Sequence, residues 1–151
     1  MHPNLLAYND HEVFVSEEDI SAYRASKMRG VRKNISFVRN NFNKKLRVLE
    51  IGSGNSKFLY ALEAENILEE GYGFEDDWKR DLGIDNVHNI EENILATKFN
   101  RLPFFDLVYC VDLAFQFLDP VEPQSDLRIL KSIYNSLESG GKVILELDCH
   151  Q

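Results

Sequence analysis

The sequence predicts an α/β fold, a parallel sheet with helices on both faces, in a single domain over residues 1–151. Three observations predict it. Short apolar runs alternate with stretches of helical periodicity, the order expected of βαβ units with right-handed crossovers. The strongest run, Leu46-Arg47-Val48-Leu49-Glu50-Ile51, breaks into a glycine turn, Gly52-Ser53-Gly54. Hydrophobic residues make up 44% of the 151 positions, enough for the core of one domain.

Residues 1–45 read as a helical extension and 46–151 as the ligand-binding core. Ser16 followed by Glu17, Glu18 and Asp19 marks a helix start, with a side-chain cap and acidic residues where the macrodipole favours them. Val31, Ile35, Val38 and Phe42 form one helix face; Gly30 is a candidate break before it, and Asn40, Asn41 and Asn43 end it ahead of strand 46–51. Beyond the glycine turn, Phe58, Leu59, Leu62 and Leu68 predict a helix of about four turns closed by Gly71. Tyr72-Gly73-Phe74 reads as the second strand, Val87 to Ile90 as the third and Asp106 to Val111 as the fourth. Ser125 caps a further helix with the stripe Leu127, Leu130, Tyr134 and Leu137; Gly140-Gly141 stops it before a fifth strand from Lys142 to Leu147.

Charge and cysteine content exclude some classes of function. A net charge of −8 argues against a nucleic-acid partner, because affinity for a polyanion rests on many Lys and Arg contacts. The basic stretch from Arg24 to Arg47 is expected to be a solvated helix face. Cys110 and Cys149 form no Cys-x-x-Cys pair, so neither a disulfide framework nor a structural zinc site is expected. No signal-peptide pattern opens the chain and no apolar run approaches the roughly 18 residues of a membrane span, which predicts a cytoplasmic protein without a membrane partner.

In a parallel sheet, ligands bind outside the carboxyl ends of the strands, where strand order reverses. Gly52 and Gly54 allow a tight turn with exposed N–H groups, open to close approach by a nucleotide-like ligand. Glu75 ends the second strand 21 residues beyond Gly54, the spacing at which a carboxylate accepts from both hydroxyls of a ribose. A dinucleotide turn would carry a small residue where Lys57 stands, so the fit to a nicotinamide cofactor is poor. Glu50, two residues before the first glycine, suits a ligand with an ammonium group; it could equally hold the loop backbone by hydrogen bonds.

Val48-Leu49-Glu50-Ile51-Gly52-Ser53-Gly54 resembles the first motif of the class I S-adenosylmethionine-dependent methyltransferases, enzymes with a Rossmann-like fold. Glu75 matches the family's ribose-binding acid, Phe105-Asp106-Leu107-Val108 its fourth-strand motif, and Leu137 to Leu145 its helix, Gly-Gly and strand-five signature, so the resemblance spans about 46–147. It implies S-adenosylmethionine as cofactor, with Glu50, Gly52, Ser53 and Gly54 around the methionine moiety. Glu92 or Asn93 would then lie against the adenine, and Asp112 beside the cofactor after strand four. It also implies the strand order 3-2-1-4-5. Three features depart from the family: Ser56 stands at its third glycine, only 11 residues separate Glu75 from Val87, and its strands 6 and 7 have no counterpart. The last departure leaves strand five an apolar edge. The chain is accordingly expected to be a fragment, an incomplete copy of a longer protein, or a half completed by another chain or a homo-oligomer at that edge.

Methyl transfer from a sulfonium needs alignment more than a protein nucleophile. Asp112 and His150, after strands four and five, are the candidate general bases for an acceptor hydroxyl or amine. No metal is expected, although Asp112, Asp148 and His150 could approach one another at adjacent strand ends. Asp112-Leu113-Ala114-Phe115 lacks the family's Asn/Asp-Pro-Pro-aromatic motif, which disfavours acceptors of the amino-methylated DNA and protein kind. The expected function is therefore methyl transfer to oxygen or nitrogen of a small-molecule or polysaccharide-precursor acceptor. The alternative is a non-catalytic module that binds the cofactor or a partner chain. His11 and His88 have no partner identifiable from the sequence.

Overall fold

Strand β1, Leu46–Ile51, alternates its side chains into two separate apolar layers, which is possible only for a strand covered on both faces. The computed structural model describes residues 31–52, 57–74, 83–92, 102–111 and 121–146. It places β1 at the centre of a five-stranded parallel sheet with β2 (Leu68–Phe74), β3 (Val87–Ile90), β4 (Phe105–Val111) and β5 (Leu137–Glu146). The strand order is β3-β2-β1-β4-β5, and every pair is parallel, as the sequence predicts.

Helices cover both faces. On one, helix α1 (31–41) and helix α2 (Lys57–Ala64) bury Val31, Ile35, Val38, Phe58, Leu59 and Leu62 against Val48, Leu107 and Tyr109. On the other, helix α3 (Ser125–Asn135) buries Ile129 and Ile133 against Leu49, Val108 and Cys110. The α1 stripe is the one its spacing predicts, and the helix ends at residue 41, where Asn41 donates its side-chain amide to the Phe37 carbonyl at 2.8 Å. None of the helices among the described residues is long and apolar enough to cross a membrane.

Four elements, α2, β2, α3 and β5, differ from the sequence expectation by more than one residue. Helix α2 has eight residues rather than about four turns. It stops at Asn66, which takes a left-handed φ of 60° while Ile67 N–H bonds to Leu62 O and Asn66 N–H to Glu63 O at 3.1 and 3.0 Å. That is the double hydrogen bond of a Schellman cap. Leu68 therefore begins β2 instead of closing α2, and Gly71 lies inside the strand. A Cβ on Gly71 would come within 2.9 Å of Leu59 Cδ2, so the bare glycine lets α2 settle onto the sheet.

Helix α3 uses the opposite phase to the one expected: Leu127, Leu130 and Tyr134 are exposed, and Ser125, Ile129 and Ile133 are buried. Its N-cap is Gln124, without a side-chain bond, so Ser125 is the buried first residue rather than the cap. Strand β5 begins at Leu137, opposite Phe105, and then slips so that Lys142 is opposite Leu107. Gly140-Gly141 sits in that irregularity rather than in a helix stop. Gly140 has φ +79°, and a Cβ on Gly141 would meet the Glu138 carbonyl oxygen at 2.9 Å.

Asp106 fastens the start of β1. Its Oδ2 accepts the Arg47 N–H at 2.9 Å and its Oδ1 pairs with Lys44 Nζ at 2.9 Å, an interaction that raises the lysine's pKa. Asp106→Ala leaves that N–H without its acceptor beside a largely buried position and should cost about 1–3 kcal/mol in urea denaturation.

Candidate cofactor site

The register brings the strand ends into line. Ile51 stands opposite Phe74 on β2 and Cys110 on β4, Phe74 opposite Ile90 on β3, and Cys110 opposite Leu145 on β5. The chain runs from β1 outward through β2 and β3 on one side, then returns to β4 and β5 on the other, so β1 and β4 flank the switch point. Gly52 emerges there with φ +65°, a left-handed conformation that favours glycine and turns the backbone out of the sheet.

Glu50 lies on the face that carries Val48 and is only 4% exposed. Its neighbours in register are Gly73, which contributes no side chain, and Tyr109. The Tyr109 ring stacks on Phe58 with centroids 3.7 Å apart, and its hydroxyl accepts the Asn34 side-chain amide at 2.8 Å. Three elements, α1, α2 and β4, thus meet beside a buried carboxylate at the exit of β1. Desolvating a carboxylate is expensive, and the fold keeps this one buried at the switch point.

Of the expected site residues, Glu50, Gly52 and Glu92 fall within the described residues. Glu92 follows β3, with its N–H bonded to Ile90 O at 3.0 Å, and one strand separates β3 from β1. Two strand spacings put that position roughly 10 Å across the sheet from the glycine turn, room for an extended ligand. Ser53, Gly54, Glu75, Asn93, Asp112 and His150 lie outside the described residues. Sequence reasoning missed Asn34 and Tyr109, and also the pair in which Asn89 donates to the Tyr60 hydroxyl at 3.1 Å. No local pattern pairs them, because the partners stand 75 and 29 residues apart in the sequence. Cys110 is buried in β4, and burial raises its thiol to about 12, so it offers no thiolate at neutral pH.

On the other face, His88 does have a partner: its Nε2 lies 2.9 Å from Glu70 Oε1, which also accepts the Tyr72 hydroxyl at 2.7 Å. The Tyr72 hydrogen bond, then His88 and Arg47, hold the Glu70 carboxyl below its ordinary value, and burial with Glu70 pushes Tyr72 up to about 12. The lowered acid stabilises the fold above the unfolded glutamate pKa and loses that contribution as pH falls through its own. The raised phenol stabilises it below pH 10 and loses that contribution as pH rises toward 12. Tyr72→Phe should therefore flatten stability against pH at both the acid and the alkaline limb, as thermal melts across the range would show.

A parallel sheet ordered β3-β2-β1-β4-β5, with helices on both faces and a glycine turn after β1, is the fold of the class I S-adenosylmethionine-dependent methyltransferases. No protein-family model and no curated protein matches the sequence. Among solved structures, the plantazolicin methyltransferase BpumL, crystallised with a desmethyl-plantazolicin analogue and S-adenosylhomocysteine, is similar with a TM-score of 0.63 at 14% identity. The match covers 82% of this chain and 48% of that one. CalS10, a SAM-bound amino pentose methyltransferase from Micromonospora echinaspora, is similar with a TM-score of 0.60 at 18% identity, over 89% of this chain and 58% of that one. The glycopeptide N-methyltransferase MtfA is similar with a TM-score of 0.54 at 18% identity, over 94% and 58%. The chain thus spans about half to three fifths of the length of these structures.

Proposed function

We propose that this chain binds S-adenosylmethionine across the carboxyl ends of β1 to β3, as the cofactor-binding core of a methyltransferase acting on oxygen or nitrogen of a small-molecule or polysaccharide-precursor acceptor. The observation that carries the reading is the buried Glu50 carboxylate two residues before a left-handed Gly52 at the switch point. A nucleotide alone gives no reason for an acid there; a ligand with an ammonium group does. Glu50, Gly52, Ser53 and Gly54 would hold the methionine moiety, Glu75 the ribose, and Glu92 with Asn93 the adenine, and Asp112 would stand beside the cofactor. When bound, the cofactor supplies the methyl group as an activated sulfonium. Asp112 or His150 would take the proton from the acceptor.

The amino pentose in CalS10's name is a small-molecule acceptor of the kind proposed, and MtfA's name gives a glycopeptide and nitrogen as its methylation target. A second reading, binding without transfer, draws support from Ser56 in place of a third glycine and from the short Glu75 to Val87 crossover. Calorimetry with S-adenosylmethionine, S-adenosylhomocysteine and NAD tests the cofactor, and methyl incorporation across an acceptor panel separates the two readings. Binding to NAD alone overturns both. Glu75→Ala should weaken S-adenosylmethionine by about 1.5–3 kcal/mol, the worth of a charge-assisted contact, and unchanged affinity removes Glu75 from the site.

A further inference from the structure

Phe58, Leu59 and Tyr60 are successive residues at the start of α2, and all three are buried. Successive side chains of a helix point about 100° apart, so these three cover about 200° of the circumference, more than the single stripe of a surface helix. A different strand receives each of them. Phe58 stacks on Tyr109 of β4 at 3.7 Å, Leu59 rests on the bare Gly71 of β2, and the Tyr60 hydroxyl accepts the Asn89 side-chain amide of β3 at 3.1 Å. The register sets Asn89, Gly73, Glu50 and Tyr109 in one row across β3, β2, β1 and β4, on the face that carries α2. Tyr60 and Phe58 therefore grip the two ends of the row that holds Glu50.

We propose that Tyr60 and Asn89 are positioning residues for the cofactor: their hydrogen bond fixes the start of α2, and with it the connection from Gly52 to Lys57, in the arrangement that receives the amino-acid end of S-adenosylmethionine. The inference rests on the cofactor reading above. Apolar contacts are non-directional, so the Phe58 stack and the seat of Leu59 set how close α2 lies to the sheet but leave it small rotations about its axis. A hydrogen bond has a preferred direction, and this one ties the helix to a strand on the far side of β2 from the Phe58 stack. A phenylalanine at position 60 would fill nearly the same space, and the net stability gained from such a bond is modest. What the hydroxyl adds is placement. Gly52 leaves β1 with φ +65° and Lys57 opens α2, so the four residues between them join one end fixed in the sheet to another fixed by these contacts. Fixing both ends of a short connection narrows its conformations and lowers the ordering cost that a ligand must meet on binding.

Two measurements on Tyr60→Phe, Asn89→Ala and the double variant test the assignment. In hydrogen exchange of the unliganded protein, the amides of residues 52–57 should exchange about three- to tenfold faster in each variant while those of β4 keep their wild-type rates. A contact that only stabilised the core would speed both. In calorimetry, S-adenosylhomocysteine should bind each single variant about three- to tenfold more weakly, and Tyr60→Phe should add nothing in the Asn89→Ala background, because the same bond is already gone. 5′-Methylthioadenosine shares the nucleoside but lacks the amino-acid end, and the variants should bind it as wild type does. A wild-type protein that binds neither ligand overturns the cofactor reading and this inference with it. Where wild type binds, unchanged exchange at 52–57, unchanged affinity for S-adenosylhomocysteine, equal losses for the two ligands or additive losses in the double variant each overturn the role of Tyr60 and Asn89 and leave the cofactor reading standing.

Discussion

Glu50→Gln should weaken S-adenosylmethionine by roughly 2–5 kcal/mol, about 30-fold to several thousandfold in dissociation constant, while leaving the unliganded protein as stable as wild type or more so. The two halves of the result have one cause. Glu50 is 4% exposed, so its charge is held away from water in the unliganded protein. The amide keeps the size and shape and relieves that cost in the free protein. In the complex it removes the charge that an ammonium group would meet in a desolvated setting, where an ion pair is strongest. If Glu50 instead serves to hold the glycine loop, the substitution lowers the melting temperature of the free protein and affects cofactor through loop disorder. Calorimetry and thermal melts on one variant separate the two roles. Loss of stability with affinity unchanged sinks the assignment of Glu50 to the site.

The strands that were legible in the sequence are those whose apolar runs stand alone. β1 and β3 match the expected bounds and β4 starts one residue early, because nothing helical competes with them. β2 was half hidden. Leu68 follows the apolar run of Leu59 and Leu62 only six residues beyond Leu62, and only the cap at Asn66 shows that the chain has already turned into a strand. The glycines inside β2 look like breakers until packing is known: Leu59 rests on Gly71, and Glu50 has Gly73 as its neighbour in register. In α3 two stripes share helical spacing, Leu127/Leu130/Tyr134 and Ile129/Ile133, and periodicity has no means of choosing which of them faces the sheet. The site was legible where chemistry is local, as with Gly52 leaving a strand next to an acid. It was illegible where it depends on residues far apart in sequence, such as Asn34 of α1 reaching Tyr109 of β4.

That long-range contact underlies the largest stability effect expected here. Phe58→Ala should cost about 3–5 kcal/mol, because the ring is 1% exposed and its removal leaves a cavity that the surrounding strands cannot close. The cavity would open against Tyr109, which loses its stacking partner, and beside Glu50, which gains access to water. Tyr109→Phe separates the packing from the polar clamp. It keeps the stack and deletes only the hydroxyl that accepts from Asn34, leaving a buried amide unsatisfied at a cost of about 1–3 kcal/mol. Asn34→Leu in the Tyr109→Phe background removes the orphaned donor and should recover part of that loss, since replacing both partners of a buried hydrogen bond is far less damaging than removing one. Urea denaturation of the three variants measures the set. Equal losses for the single and the double variant would show that Asn34 and Tyr109 do not act as a pair, and that α1 is held to the sheet by its apolar stripe alone.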